Sequence, residues 1–198
     1  GVALKVFSND IRMELLLAAR APENLTLDRV NDIQALIYHN LYTNGSMLFK
    51  RARKIGDAHV ISVVLVGLGQ YGQEMLKALT WYCQIEGYKL KIHAFDADEQ
   101  AKARFEAMCP ELMSPEHNHH FEPGEARYAI DIHPGIDVSV PAFEEEIQKL
   151  TDATYCFVCL GEDAINLTVA KKMREIFGRM TFEGDAHKPD IETVIYDS

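Results

Sequence analysis

The chain of 198 residues is long enough for one domain with an appendage, and its apolar content of 47% is ordinary for a protein with a buried core. The formal net charge of −10 at pH 7 argues against non-specific binding to nucleic acid or to anionic membranes. No apolar run reaches the about 18 residues that a membrane-spanning helix needs. The four cysteines are scattered among apolar neighbours, which is typical of a reducing compartment, so we expect a cytoplasmic protein.

Residues 1–58 are predicted to form a mainly helical extension. Residues 2–7 have the pattern of a short strand, and a helix is expected from the capping residues Ser8–Asp10 to Pro22. A second helical pattern begins at Asp28 and ends near Asn44 and Gly45. The basic stretch Lys50–Lys54 is interpreted as the solvated face of a helix; the alternative is a surface for an acidic partner or for another copy of the chain.

Residues 59–198 alternate between strand and helix patterns, which is typical of a parallel sheet with helical crossovers. The predicted strands cover about 60–66, 89–95, 128–132, 155–160 and 191–196. The predicted helices cover about 71–86 and 98–108, and two more follow Pro141 and Asp163. Residues 113–127 form a polar loop that contains histidine and proline. The chain begins at Gly1 and ends directly after a strand-like run, so we expect a piece of a longer protein.

The first strand of this second region leads into a glycine-rich turn. Its apolar run is followed at once by the pattern G-x-G-x-x-G, formed by Gly67, Gly69 and Gly72, and then by a helix. Gly67 permits the tight turn, Gly69 lets a pyrophosphate approach the backbone, and Gly72 allows close packing of helix on strand. The N–H groups and the dipole at the helix start attract phosphates. We predict a nucleotide-binding loop, with a purely structural glycine turn as the alternative.

An acidic residue ends the second strand, where a ribose would lie. Asp96 follows Phe95 and can accept hydrogen bonds from ribose hydroxyls. Its charge repels a 2′-phosphate and no arginine follows it closely, so NADP is disfavoured. NAD, NADH, ATP, ADP and AMP offer the same hydroxyls, and the sequence does not separate them. Strand ends meet at one edge of a parallel sheet, so Gly67, Asp96 and Gly161 should converge on one crevice. Asp163 beside it either lines the crevice or caps the following helix.

Two segments resemble one known family. Val64–Gly72 together with His93–Asp98 resembles the TrkA-N domain, also called the RCK (regulator of potassium conductance) domain. Thr154–Leu167 is similar to that family's fourth strand, acidic turn and "N-L" helix. The resemblance covers about residues 60–198. It implies a three-layer α/β/α Rossmann fold, a doubly wound parallel sheet for which we expect the strand order 3-2-1-4-5.

The resemblance also implies a function: NAD(H) or another adenine nucleotide binds as a ligand and changes the activity of a potassium channel or transporter. Such a domain would act as a homodimer in the cytoplasm, beside a membrane partner. The implied phosphate contacts are Gly67, Leu68, Gly69, Gln70, Tyr71 and Gly72. Asp96 and Ala97 would hold the ribose side, and Asp137, Leu160 and Gly161 would lie near the ligand. Where the family usually has Gly-Asp-Ala/Ser-Thr, this chain has Ile136–Ser139.

No catalytic or metal-binding residues are predicted. The sequence offers no Tyr-x-x-x-Lys pair at the expected place, and 198 residues leave no room for a separate catalytic half, so we expect no enzyme. The alternatives are a fragment of an NAD-dependent oxidoreductase without its substrate domain and a scaffold with a vestigial site. His117–His120 are interpreted as solvated, with a transition-metal site that includes Glu116 or Glu122 as the alternative. Cys156-x-x-Cys159 is interpreted as two buried structural thiols rather than a redox or metal motif. Asp131 and His133 end the third strand with no predicted orientation.

Overall fold

A mainly parallel sheet lies at the centre of the structure, a computed structural model that describes residues 2–8, 25–113, 127–184 and 187–195. The strands are β1 Val2–Phe7, β2 Leu25–Val30, β3 Arg53–Ile55, β4 Ala58–Val66, β5 Tyr88–Asp96, β6 Tyr128–Pro134, β7 Tyr155–Val158 and β8 Asp190–Thr193. The helices are α1 Asp32–Asn44, α2 Ser46–Arg51, α3 Gln70–Tyr82, α4 Ala101–Met108, α5 Pro110–Met113, α6 Pro141–Gln148 and α7 Asp163–Glu183. The helix predicted before Pro22 and His117–His120 lie outside the described residues.

The strands of the main sheet follow the order β6-β5-β4-β7-β8, all parallel. These are the five predicted strands in the predicted order 3-2-1-4-5, so the expected doubly wound Rossmann-like fold is confirmed. The short strand β3 pairs with β4 in the antiparallel direction. Boundaries differ from prediction by a few residues, as at α3, which ends at Tyr82, and β8, which ends at Thr193.

The sheet is covered on both faces, which explains why β4 is apolar without alternation. Its side chains from Ile61 to Val66 are buried. One face packs against the apolar side chains of α1 and α3, and the other against those of α6 and α7. The central strand therefore lies at the middle of three layers, and its carboxyl end leads into the glycine loop, where Gly69 and Gln70 are exposed.

Residues 25–30 form a strand, so the predicted helix start at Asp28 is wrong. β2 pairs in parallel with β1, with Val2 opposite Leu25 and Phe7 opposite Val30. This partner from far along the chain overrides the helical spacing that begins at Asp28. The helix starts only after Asn31, whose side-chain oxygen accepts a hydrogen bond of 3.1 Å from the N–H of Gln34.

The two helices described in the N-terminal region belong to the same apolar core as the sheet. Ile37 and Leu41 of α1 and Leu48 of α2 are buried in the cluster that also contains the core residues of α3. Gly45 joins the two helices where they meet α3, and a Cβ atom there would lie 2.3 Å from the carbonyl oxygen of Leu41 and 2.7 Å from the ring of Tyr82. A glycine at this corner permits the close approach.

The basic stretch does not form one helix face, contrary to prediction. Lys50 and Arg51 end α2, the backbone becomes extended at Ala52, and the next two residues belong to β3. Pairing with β4 draws the chain out of the helix here. Arg51 forms an ion pair with Asp190, with Nε and Oδ2 3.1 Å apart.

None of the described helices has the length and apolar character that crossing a membrane requires.

Candidate nucleotide site

The three glycines of the loop have different surroundings. Gly67 has a φ of +97°, and a Cβ atom there would lie 2.7 Å from the carbonyl oxygen of Cys159. A Cβ atom at Gly72 would lie 1.9 Å from the carbonyl oxygen of Gly67. A Cβ atom at Gly69 would meet no described atom within 4 Å. The fold thus requires glycine at the two outer positions, whereas the space above Gly69 is open to a ligand.

Helix α3 begins directly at this open space. Gly69 is its N-cap residue, and among the described residues no side chain of the cap bonds to the first turn. The loop before it is braced by Gln73, whose side-chain amide donates a hydrogen bond of 2.8 Å to the carbonyl oxygen of Leu68. The first turn, which includes Gln70 and Tyr71, carries no acidic residue. Such a helix start attracts anions.

Asp96 joins the glycine loop to the end of the neighbouring strand. Its Oδ2 accepts a hydrogen bond of 2.6 Å from the backbone N–H of Leu68, and its Oδ1 accepts one of 2.8 Å from the N–H of Asp98. The sequence predicted only a ribose ligand here. A carboxylate has about four acceptor sites, so both oxygens of this half-buried side chain keep capacity for two ribose hydroxyls.

A pocket of about 690 Å³ opens beside Asp96, at the carboxyl ends of β5, β6 and β7. Its volume falls within the range of about 300–1,000 Å³ that is usual for small-molecule sites. The pocket is lined mainly by apolar groups, and the described lining residues are Phe95, Asp96, Ala97, Ile136, Asp137, Val138, Ser139, Leu160, Ala164, Ile165, Thr168, Val169 and Lys172. Asp96, Ala97, Asp137 and Leu160 were named from the sequence. Gly161 and the loop Gly67–Gly72 lie outside this lining, and the loop borders it through the hydrogen bond from Leu68.

The wall formed after β6 is ordered by its own side chains. Asp137 accepts hydrogen bonds of 2.6 Å from the hydroxyl and 2.7 Å from the N–H of Ser139. These two bonds, the hydroxyl first, lower the pKa of Asp137. Lys172 crosses from α7 and donates a hydrogen bond of 2.9 Å to the carbonyl oxygen of Val138. Its ammonium group lies 5.4 Å from the centre of the Phe143 ring.

Lys172 was not found by the sequence reasoning, although a signal for it exists. Helix α7 contributes five residues to the pocket lining, and four of them, Ile165, Thr168, Val169 and Lys172, follow the helical spacing i, i+3, i+4 and i+7. Lys172 is the last of these four residues and the charged one among them. The helical spacing from Ile165 would have predicted that Lys172 lies on the same side of α7.

Asn166 fixes the turn between β7 and α7. Its Oδ1 accepts a hydrogen bond of 2.6 Å from the N–H of Leu160, and its Nδ2 donates to the carbonyl oxygens of Leu160 and Val194 at 3.1 and 2.9 Å. This buried amide holds the pocket residue Leu160 in place. Asp163 is the first residue of α7 and Glu162 is its N-cap, so Asp163 does not occupy the capping position.

A second group of polar side chains lies on β5 and β6, next to Phe95 of the pocket wall. His93 of β5 faces Asp131 and His133 of β6, the two residues whose orientation the sequence left open. Burial lowers the pKa of His93, and the charge of His133 lowers it further. The ring of His133 stacks on Phe95 of the pocket wall, with ring centres 4.5 Å apart.

The two cysteines of the C-x-x-C pattern are confirmed as separate buried thiols. Cys156 belongs to the core on one face of the sheet and Cys159 to the core on the other. Both are free. Burial raises the pKa of each thiol well above its usual value, so neither has the character of a redox nucleophile.

No family model matches the chain, and no curated protein matches it in sequence. Among solved structures it is similar to the A chain of dipicolinate synthase from Bacillus halodurans, with 16% identity and a TM-score of 0.34 over 96% of this chain and 58% of that one. The A chain of dipicolinate synthase from Bacillus subtilis matches with 13% identity and a TM-score of 0.35, over 96% and 56%. The PH0520 protein from Pyrococcus horikoshii OT3 matches with 13% identity and a TM-score of 0.35, over 99% of this chain and 68% of that one.

The chain thus spans little more than half the length of the two dipicolinate synthase chains, 58% and 56%. The fold is assigned from this chain's own strand order and helix layers, which are those of a doubly wound, Rossmann-like domain.

Proposed function

We propose that this chain is a regulatory domain that binds an adenine nucleotide, NAD(H) or ATP, ADP or AMP, as a ligand. The observation that carries the proposal is the hydrogen bond from the N–H of Leu68 to Asp96, which joins the glycine loop to the mouth of the pocket. In this proposal the phosphates would lie at the loop and the ribose at Asp96, side by side. This is the arrangement that a nucleotide requires of a Rossmann-like domain.

Each part of the nucleotide has a matching part of the site. The pocket, whose mainly apolar lining includes Ile136 and Ile165, suits an adenine ring. The carboxylate of Asp96 suits the ribose hydroxyls and repels a 2′-phosphate. The open backbone at Gly69 and the start of α3 suit the phosphates, since no side chain obstructs them among the described residues.

Two charged groups of the described pocket already have partners in the fold, which supports a bound ligand rather than a hydride carrier. Asp137 bonds to its own loop and Lys172 bonds to the carbonyl oxygen of Val138, so both charged groups already serve the pocket wall. The TrkA-N resemblance supports a regulatory output. In this proposal a cytoplasmic homodimer passes the nucleotide signal to a potassium channel or transporter at the inner face of the membrane.

The test compares nucleotide binding by the wild-type protein and by Gly69→Asp, using calorimetry with NAD, NADH, NADP, ATP, ADP and AMP. A Cβ atom at Gly69 meets nothing within 4 Å, and aspartate is a better N-cap than glycine, so the variant should fold. Its carboxylate would occupy the phosphate position. We expect binding of at least one nucleotide without a 2′-phosphate by the wild type, and a loss of about 100-fold or more in the variant, since a bound phosphate would meet a like charge.

Gly178→Asp is the matched control, because it adds the same charge on α7 where a Cβ atom also meets nothing within 4 Å. It should bind as the wild type does. Equal binding by Gly69→Asp, or no binding by any protein, would contradict the proposal and favour the scaffold alternative. Turnover of a bound dinucleotide with a substrate would favour the oxidoreductase fragment.

A further inference from the structure

Three side chains with nitrogen and oxygen donors meet on one face of the sheet, on two adjacent strands. In the register of β5 and β6, His93 lies opposite Asp131 and Phe95 lies opposite His133. Residues two apart on a strand point to the same face, so the three side chains of His93, Asp131 and His133 project together. Their donor atoms all lie within 4.8 Å of one another.

The separations between the donor atoms are those of a tetrahedral metal site. Bond lengths of about 2.0–2.1 Å to Zn²⁺ place two ligand atoms about 3.3 Å apart. Nδ1 of His93 lies 3.4 Å from Nε2 of His133, and that nitrogen lies 3.3 Å from Oδ2 of Asp131. The third separation, from Nδ1 of His93 to Oδ2 of Asp131, is 3.9 Å, so a small rotation of the exposed carboxylate closes the triangle.

We propose that His93, Asp131 and His133 bind a divalent transition-metal ion of the Zn²⁺ type, with the fourth coordination position open to solvent. Two imidazoles and one carboxylate select such an ion over Ca²⁺ or Mg²⁺, which take oxygen ligands. Three protein ligands with an open position are the pattern of reactive rather than purely structural zinc sites.

The surroundings hold the donors in place and admit an ion. Each histidine side chain is 22% exposed and the Asp131 side chain is 59% exposed, so an ion can reach the three donors from solvent. Stacking on Phe95 fixes the ring of His133. The nearby carboxylate of Asp152 is held by Lys91, with Nζ and Oδ2 3.0 Å apart, so this acidic neighbour is neutralised and does not compete as a ligand.

The experiment titrates metal-free protein, with the whole chain present, with ZnCl₂ by calorimetry and with CoCl₂ by visible absorption, where tetrahedral Co²⁺ gives intense bands. We expect one ion per chain at this site. His133→Gln and Asp131→Asn should each weaken binding by about 100-fold or more, because even residues that only support metal ligands account for 10–100-fold. Circular dichroism establishes that each variant is folded, and Asp131→Asn, at an exposed side chain, preserves volume.

The matched control removes the other histidine cluster of the chain. The triple variant His117→Asn, His119→Asn, His120→Asn should keep the site and its cobalt spectrum, as should His39→Gln on the exposed side of α1. The proposal is overturned if binding disappears with the triple variant and persists in His133→Gln, or if the wild type binds neither ion. In the latter case the three side chains form only a hydrogen-bonded cluster. No nucleotide enters the experiment, so its outcome is independent of the proposed function.

Discussion

Gly72 lies closer to the loop before it than any side chain permits. The carbonyl oxygen of Gly67 occupies the space of a Cβ atom, at 1.9 Å. Gly67 follows β4 directly and Gly72 lies in the first turn of α3, so neither backbone can move away without shifting the whole loop. The glycine spacing in the sequence therefore reflects a packing requirement of the fold at Gly67 and Gly72.

Gly72→Ala should lower the free energy of unfolding by about 1–3 kcal/mol or more, the range for overpacked core positions. The control Gly178→Ala places a methyl group in open space within α7 and should raise it by up to about 1 kcal/mol, since alanine favours the helix. Urea denaturation measures both. Equal stabilities of the two variants would show that the loop tolerates a side chain.

Among single residues, the sequence predicted those whose positions depend on neighbours in the chain. Gly67, Gly69 and Gly72 directly follow β4, so their spacing is enough to predict a glycine turn between strand and helix. The bond from Leu68 to Asp96 and the meeting of His93 with Asp131 depend on strand pairing between distant segments. A sequence pattern does not specify which carboxylate oxygen or ring nitrogen contacts a residue on another strand.

Helix α1 is the element by which the N-terminal region becomes part of the main core. Its buried residues recur at Ile33, Ile37 and Leu41, four apart, and contact the core that contains α3. The sequence predicted this helix but not the strand β2 before it, because the strand depends on pairing with β1. Local patterns predict helices well, whereas a strand needs a partner that the pattern does not name.

Leu41→Ala should lower the free energy of unfolding of the whole protein by about 2–5 kcal/mol, the cost of a cavity at a buried leucine. The side chain is 3% exposed, whereas that of the next residue, Tyr42, is 88% exposed. Tyr42→Ala is therefore the control and should change stability by less than about 0.5 kcal/mol. Chemical denaturation followed by far-ultraviolet circular dichroism checks both. A separate, early transition in Leu41→Ala would mean that the N-terminal region unfolds alone.

The whole molecule encloses all of its thiols. The four cysteines are free and buried, and they are distributed over both faces of the sheet. Burial raises the pKa of Cys83 to about 12 and raises that of Cys109 as well. At any pH below the raised pKa, less of the thiol is present as the reactive thiolate. Burial therefore protects these cysteines from thiol reagents.

Native protein at pH 8 should therefore react with a thiol reagent such as dithionitrobenzoate far more slowly than protein unfolded in guanidinium. For Cys83 the lower thiolate fraction alone predicts about a thousandfold slower reaction. All four thiols should react after unfolding, and a Tyr42→Cys variant should add one that reacts immediately. Rapid reaction of any natural thiol in the native protein would show that one face of the sheet is open.

The bond between Leu68 and Asp96 also bears on the entropy of binding. A glycine-rich loop has many conformations to lose, and a ligand that must order it binds more weakly for that reason. Here the end of β5 restrains the loop as soon as β4 and β5 pair, so the ordering cost falls on folding rather than on the ligand. The loop is therefore restrained before any ligand arrives, and under the proposed function the affinity for the phosphates would be set by the contacts they make.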